Sequence, residues 1–168
     1  EGDPSLLDFN ISIPALTSQP NIENAIYNNM LICENGSFPG TSFFAGTTEV
    51  GYPESPYNYF AVNMKAGSIG SILWWNTVNA PPNNITVAPG GADPTADGGR
   101  GVFVEGYKET MQWVGYSMAT GQKLWGPTAS MAALDYYGNP AIPIIGGVLA
   151  YGKLYSTGYA GILYCWDL

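Results

Sequence analysis

Apolar residues in this chain fall in runs of strand length, and glycine, proline and asparagine stand between the runs. Toward the C-terminus, Gly147–Tyr151, Lys153–Thr157 and Ile162–Leu168 read as three strands joined by turns at Tyr151-Gly152 and Gly158-Tyr159-Ala160-Gly161. The preceding stretch offers Asn84–Ala88, Gly101–Glu105, Thr110–Met118 and Lys123–Pro127, and an earlier one Asn29–Cys33, Ser42–Gly46, Tyr57–Met64 and Ile72–Thr77. Leu6–Ile13 reads as the outer strand of a unit before these. Few stretches long enough for a multi-turn helix lack a breaker, because the 168 residues include 22 Gly and 13 Pro. A proline inside a helix costs about 3 kcal/mol, so the pattern predicts an all-β chain with helix limited to single turns. No apolar run reaches the roughly 18 residues that a transmembrane helix needs.

The strands are organised by a repeat. Ala61-Val-Asn63-Met-Lys-Ala66-Gly67, Gly115-Tyr-Ser117-Met-Ala-Thr120-Gly121 and Cys165-Trp-Asp167-Leu168 align, each with a small residue and then Asn, Ser or Asp two places on. A tryptophan follows the glycine at Trp74 and at Trp125. From Ala61 to Gly115 and from Gly115 to Cys165 the steps are 54 and 50 residues. A period near 50 built from short strands predicts four-stranded antiparallel blades of a β-propeller. The chain then reads as one segment, 1–168, holding an outer strand 6–13, a blade 29–77, a blade 84–127 and a partial blade 147–168. Propellers close with about 4–8 blades, so about three blade equivalents predict either part of a longer ring or association of copies. The missing outer strand after Leu168 is one that Leu6–Ile13 of another copy would supply.

The segment Gly115…Thr120-Gly121…Trp125 resembles the PQQ-like, or quinoprotein-like, β-propeller repeat, whose motif is Ala-x-Asp-x-x-Thr-Gly-x-x-x-Trp. Tyr151-Gly-Lys-Leu-Tyr155 with Ile162-Leu-Tyr-Cys-Trp-Asp167-Leu168 looks like inner strands of the same family. Asp167 keeps the motif's aspartate, whereas Asn63 and Ser117 replace it. The resemblance implies that Trp74, Gly121, Trp125 and Asp167 are architectural, the tryptophans packing between neighbouring blades. It also invites quinone redox chemistry. Family dehydrogenases hold calcium and the quinone at a ring centre, and many carry a vicinal disulfide; this chain has no Cys-Cys pair.

Composition narrows the function. Five Lys plus Arg against thirteen Asp plus Glu give a net charge of −8, which argues against nucleic acid and anionic membrane surfaces. Histidine is absent, which removes Ser-His-Asp hydrolysis, Cys-His proteolysis and most zinc sites. A surface of Asn, Ser, Thr and Tyr with only 11% charged residues suits an exterior facing acid. Three sequons, at Asn10, Asn35 and Asn84, are candidate glycosylation sites and agree with an extracellular or cell-surface location. The opening Glu1-Gly2-Asp3-Pro4, without Met or a leader, reads as the start of a processed or excised segment. Cys33 and Cys165 form no metal box, and in a larger ring they sit too far apart to bond to each other.

Candidate chemistry is sparse. Asp93, Thr95 and Asp97 place oxygens at positions 1, 3 and 5 of a calcium loop with Gly98 at 6, but position 12 is Val104, and Glu105 lies one residue out of register. Gly90-Gly91 and Gly98-Gly99-Arg100-Gly101 read as loops; no Lys-Ser/Thr follows to make a phosphate cradle. Glu34, Glu49, Glu54, Glu105 and Glu109 are candidates for a glycoside-hydrolysing pair of carboxylates, and scattered solvated acids account for them equally. In the Trp74-Trp75 pair the rings point to opposite faces of a strand, which makes Trp75 the candidate platform for carbohydrate. Arg100 is the one cation in a long loop that could fold over a ligand. These features predict a non-catalytic scaffold or interaction module with no cofactor, whose partners are other blades or protein chains. The alternative is a part of a PQQ-dependent dehydrogenase whose active site needs residues outside this segment.

Overall fold

A computed structural model describes residues 20–35, 38–39, 56–83, 85–130, 147–157 and 162–168, together with Phe9, Asn10 and Ser12. The chain is all-β: the described residues form eleven strands in three antiparallel sheets, with one 3-10 turn at Thr95–Asp97. The first sheet is β1 (Pro20–Ile26), β2 (Met30–Asn35), β3 (Tyr57–Asn63) and β4 (Ile72–Val78), in that order. The second is β5 (Val87–Asp93), β6 (Val102–Tyr107), β7 (Gln112–Ser117) and β8 (Lys123–Trp125). The third is β9 (Gly147–Ala150), β10 (Lys153–Thr157) and β11 (Leu163–Asp167). In every sheet each strand pairs with its neighbour in sequence, and the first strands β1, β5 and β9 lie beside one another.

Local chemistry places the turns. Ala150 and Lys153 are cross-strand partners, so β9 and β10 are joined by two residues, Tyr151 at φ 56° and Gly152 at φ 73°. Positive φ at both central positions makes the primed turn whose twist matches a hairpin. Asn28, at φ 48°, serves the β1–β2 turn, where its short amide side chain tolerates the left-handed region.

Alternation puts two different faces on each sheet. Ile32, Tyr57, Tyr59 and Ala61 of the first sheet pack with Val87, Phe103, Val114, Tyr116 and Met118 of the second. The opposite face of the second sheet, Val102, Val104 and Trp113, packs with Leu154 of the third, joined by Trp125, Leu149, Tyr164 and Trp166. The sheets are therefore stacked in chain order, each covering the face that the one before turns toward it.

The strand expectations hold for β2, β3, β4, β6, β7 and β8 and for all three strands of the third sheet, with ends moved by a few residues. Two differ. The sequence reading begins the first unit at Asn29, yet Pro20–Ile26 is its first strand. PNIENAI has little β-propensity, and pairing with β2 and contact with β5 hold it in place. The sequence pattern predicts a strand over Asn84–Ala88 with Gly90-Gly91 in a loop; instead β5 runs Val87–Asp93 through both glycines. The register shifts between Pro89 and Ala92, so the glycines form a bulge in a strand rather than a connection. Ser42–Gly46 lies outside the described residues, as do Leu6–Leu7, Asp8, Ile11 and Ile13 of the expected outer strand.

Candidate functional site

Glu105 lies at the centre of the first interface. It stands on β6 among Val102, Phe103 and Val104, and its side chain points at the first sheet, where solvent exposure is 0%. Three phenols meet its carboxylate. Tyr57 donates to Oε2 at 2.7 Å, Tyr59 to the same oxygen at 3.1 Å, and Tyr116 to Oε1 at 2.6 Å. Tyr57 and Tyr59 come from β3, two residues apart and hence on one face; Tyr116 comes from β7. Phe103 stacks on Tyr116 with centroids 5.3 Å apart and meets Tyr59 edge-on at 5.1 Å, which closes the site to water.

Electrostatics follow from that burial. Desolvation raises the Glu105 carboxyl above its ordinary range, and the three phenol hydrogen bonds pull it partly back. The same burial, with Glu105 beside them, pushes the hydroxyls of Tyr57, Tyr59, Tyr116 and Tyr107 above theirs. All four phenols therefore stay protonated and act as donors. The arrangement can hold two sheets in one register, but it offers no open face to a substrate.

Glu34 on β2 is turned toward the same interface and is also 0% exposed. Asn21 donates to its Oε2 at 3.2 Å, whereas Oε1 has no hydrogen-bond partner. Burial, with Glu23 nearby, pushes its carboxyl up to about 7 despite the Asn21 bond, and burial likewise raises Glu23. Three carboxyls that bind protons more tightly folded than unfolded give a definite sign. Their stabilising contribution is complete below about pH 4.5 and is lost as pH rises through the folded values, about 7 for Glu34. The melting temperature is expected to be roughly 5 °C higher at pH 5.5 than at pH 8, with Glu34→Gln flattening the profile. A scanning-calorimetry series that rises toward pH 8 would refute this.

The other residues singled out from sequence are dispersed. Glu109 accepts from the Thr86 backbone at 2.7 Å and from its hydroxyl at 2.6 Å; Glu49 and Glu54 lie outside the described residues. Asp93 ends β5 almost fully buried, and its Oδ2 accepts the backbone N–H of Arg100 at 2.8 Å and of Gly152 at 3.1 Å. It thereby ties the loop before β6 to the β9–β10 turn. Thr95 opens the 3-10 turn and its carbonyl accepts from Gly98, while the Asp97 side chain lies outside what is described. Among the described residues no three His, Cys, Asp or Glu side chains converge. The Arg100 side chain runs along Gly152, on the edge where the second sheet meets the third.

Trp74 reaches from β4 across to the second sheet. Its ring lies parallel to Phe103 with centroids 6.0 Å apart, and its Nε1–H donates to the Met118 carbonyl at 2.8 Å. Gly121, at φ 71°, lies directly beneath: a Cβ there would collide with the indole. Trp125 on β8 instead lies over Gly115 of its own sheet, where a Cβ would collide with the indole, and its buried Nε1–H has no acceptor. Trp75 points the other way, 42% exposed, stacked on Phe60 at 5.1 Å and donating to Asn58 Oδ1 at 3.1 Å. Trp75 and Arg100 are on different sheets, so they do not form one site. Asp167 pairs with Lys153 at 2.5 Å on the exposed side of the third sheet. Asn10 is exposed, Asn35 is buried at the end of β2, and Asn84 lies outside the described residues. Cys33 is a buried free thiol in the first sheet and Cys165 an exposed one in the third.

Sequence reasoning missed the tyrosines around Glu105. The signal was present in Tyr57-Asn-Tyr59, an alternating pair, and in one glutamate inside the apolar run Val102-Phe-Val-Glu105. Neither protein-family models nor curated proteins yield a match to this chain. No helix among the described residues is long and apolar enough to cross a membrane.

Proposed function

We propose that this chain is a non-catalytic β-propeller segment serving as an extracellular scaffold or interaction module at a cell surface. Its three sheets are the blades, of the quinoprotein-like type that the Thr120-Gly121…Trp125 motif suggests. The observation that carries the non-catalytic reading is the use made of the acids. Glu34, Glu105, Glu109 and Asp93 all accept hydrogen bonds inside the fold, and three of them do so across strands or between sheets. The propeller reading is supported by the stacking of like meanders in chain order, their first strands side by side. Trp74 sealing one sheet against the next supports it further.

Binding then falls to exposed surface. Trp75 presents one indole face backed by Phe60, a geometry that stacks on the apolar CH face of a sugar. Purified protein given PQQ, calcium and a panel of alcohols and sugars is expected to reduce no dye. Turnover abolished by Arg100→Ala or Asp97→Ala would instead establish the dehydrogenase reading. In the same preparation, oligosaccharide titrations followed by tryptophan fluorescence are expected to respond in the native chain and not in Trp75→Ala.

A further inference from the structure

Turns from all three sheets meet at one end of the molecule. The Met64 N–H donates to the Asn29 carbonyl at 2.9 Å, which joins the β3–β4 turn to the β1–β2 turn. Trp74, near the start of β4, donates to the carbonyl of Met118 in the β7–β8 turn, and Asp93 accepts the Gly152 N–H of the β9–β10 turn. Four of the chain's five cationic side chains stand at this end, Lys65, Arg100, Lys123 and Lys153, while Lys108 lies in the β6–β7 turn at the other. Three acids share the end. Asp93 is buried and accepts two backbone amides, Asp167 pairs with Lys153, and Asp97 closes the 3-10 turn. Lys65, Arg100 and Lys123 are exposed and form no ion pair among the described residues. Two hairpin tips at the same end carry exposed phenols, Tyr27 at 99% and Tyr151 at 84%.

On a chain of net charge −8, this sorting gives one end to an anionic partner. The cations and phenols come from three stacked sheets, and packed sheets lie about 10 Å apart, so an occupant reaching from the first to the third spans about 20 Å. A small anion meets only one of these groups. An exposed phenol ring stacks on the apolar CH face of a sugar, and Lys and Arg meet carboxylates. We infer that this end binds an extended acidic polysaccharide, with uronate carboxylates on Lys65, Arg100 and Lys123 and sugar rings on Tyr27 and Tyr151. Duplex nucleic acid fits worse, because one phosphate per about 1.7 Å brings more charge than three cations neutralise on an acidic chain. The inference rests neither on the Trp75 platform nor on the propeller reading.

Calorimetric titration of the whole chain with a galacturonate octamer is expected to show binding at low salt that weakens as salt rises. Lys65→Gln combined with Arg100→Gln should weaken it about tenfold, whereas Lys108→Gln should leave it unchanged. Tyr27→Ser combined with Tyr151→Asn should also weaken it; asparagine suits the φ of 56° at that turn. All these side chains but Lys108 are exposed or paired at the surface, so the circular dichroism of each variant should match the native spectrum. The ligand-side comparison needs no variant: a neutral galactose octamer and a galacturonate monomer should both bind far more weakly than the charged octamer. Equal binding of either would overturn the inference. So would a loss in Lys108→Gln as large as in the double variant, or single-stranded DNA of equal length binding as tightly. Absence of binding to the charged octamer would overturn it outright.

Discussion

Glu105→Leu is expected to lower the free energy of unfolding by about 4 kcal/mol, a large share of the roughly 5–15 kcal/mol that folded domains possess. The cost does not come from lost packing, since leucine nearly fills the volume. It comes from Tyr57, Tyr59 and Tyr116, whose hydroxyls would remain buried with no acceptor. Glu105→Gln should cost less, about 1–2 kcal/mol, because its amide oxygen still accepts while its NH₂ group confronts phenols that must turn round. Adding all three Tyr→Phe changes to Glu105→Leu should recover much of the loss, since an apolar set leaves nothing unsatisfied. Urea titrations of the single, triple and quadruple variants decide it. If Glu105→Leu unfolds at the native midpoint, the carboxylate is not what registers the two sheets.

Trp74→Ala is expected to cost about 3 kcal/mol, the lower end of the range for emptying an aromatic site, because the ring is only partly buried. It exposes Phe103 and frees the Met118 carbonyl at once. Comparison of the two tryptophans isolates the hydrogen bond. Trp74→Phe removes a donor that has an acceptor, whereas Trp125→Phe removes one whose Nε1–H is buried with no acceptor. The first should therefore be the more damaging by about 1 kcal/mol in denaturant unfolding, although both rings are partly buried. Equal losses would mean that ring burial alone matters.

The sequence pattern recovered most strands because this architecture writes itself locally. Lys153–Thr157 and Leu163–Asp167 are apolar runs bounded by turn residues, and their hairpin partner is the next run along. Where a strand owes its existence to neighbours, the pattern was silent: Pro20–Ile26 has asparagines, a glutamate and a leading proline. Gly90-Gly91 misled in the opposite direction, because a bulge and a loop use the same residues. The site was half legible. The repeat marks Trp74 and Gly121 as architectural without pairing them, and Glu105 stands in the sequence as one carboxylate among several. Its three phenols come from β3 and β7 of two sheets, and no spacing along the chain expresses that convergence. Asp93 stands in the sequence as the first position of a calcium-like loop whose register fails, while in the fold its Oδ2 accepts two backbone amides.

Among the described residues each sheet pairs strands that follow one another along the chain, and no strand is shared between sheets. A sheet can accordingly be completed before the next has been synthesised. The polypeptide is thus divisible at the connections between sheets, around residues 79–86 and 126–146, without rethreading anything. A gene built this way lengthens or shortens by whole units of about fifty codons, and the requirement on each new unit is a face that fits the last.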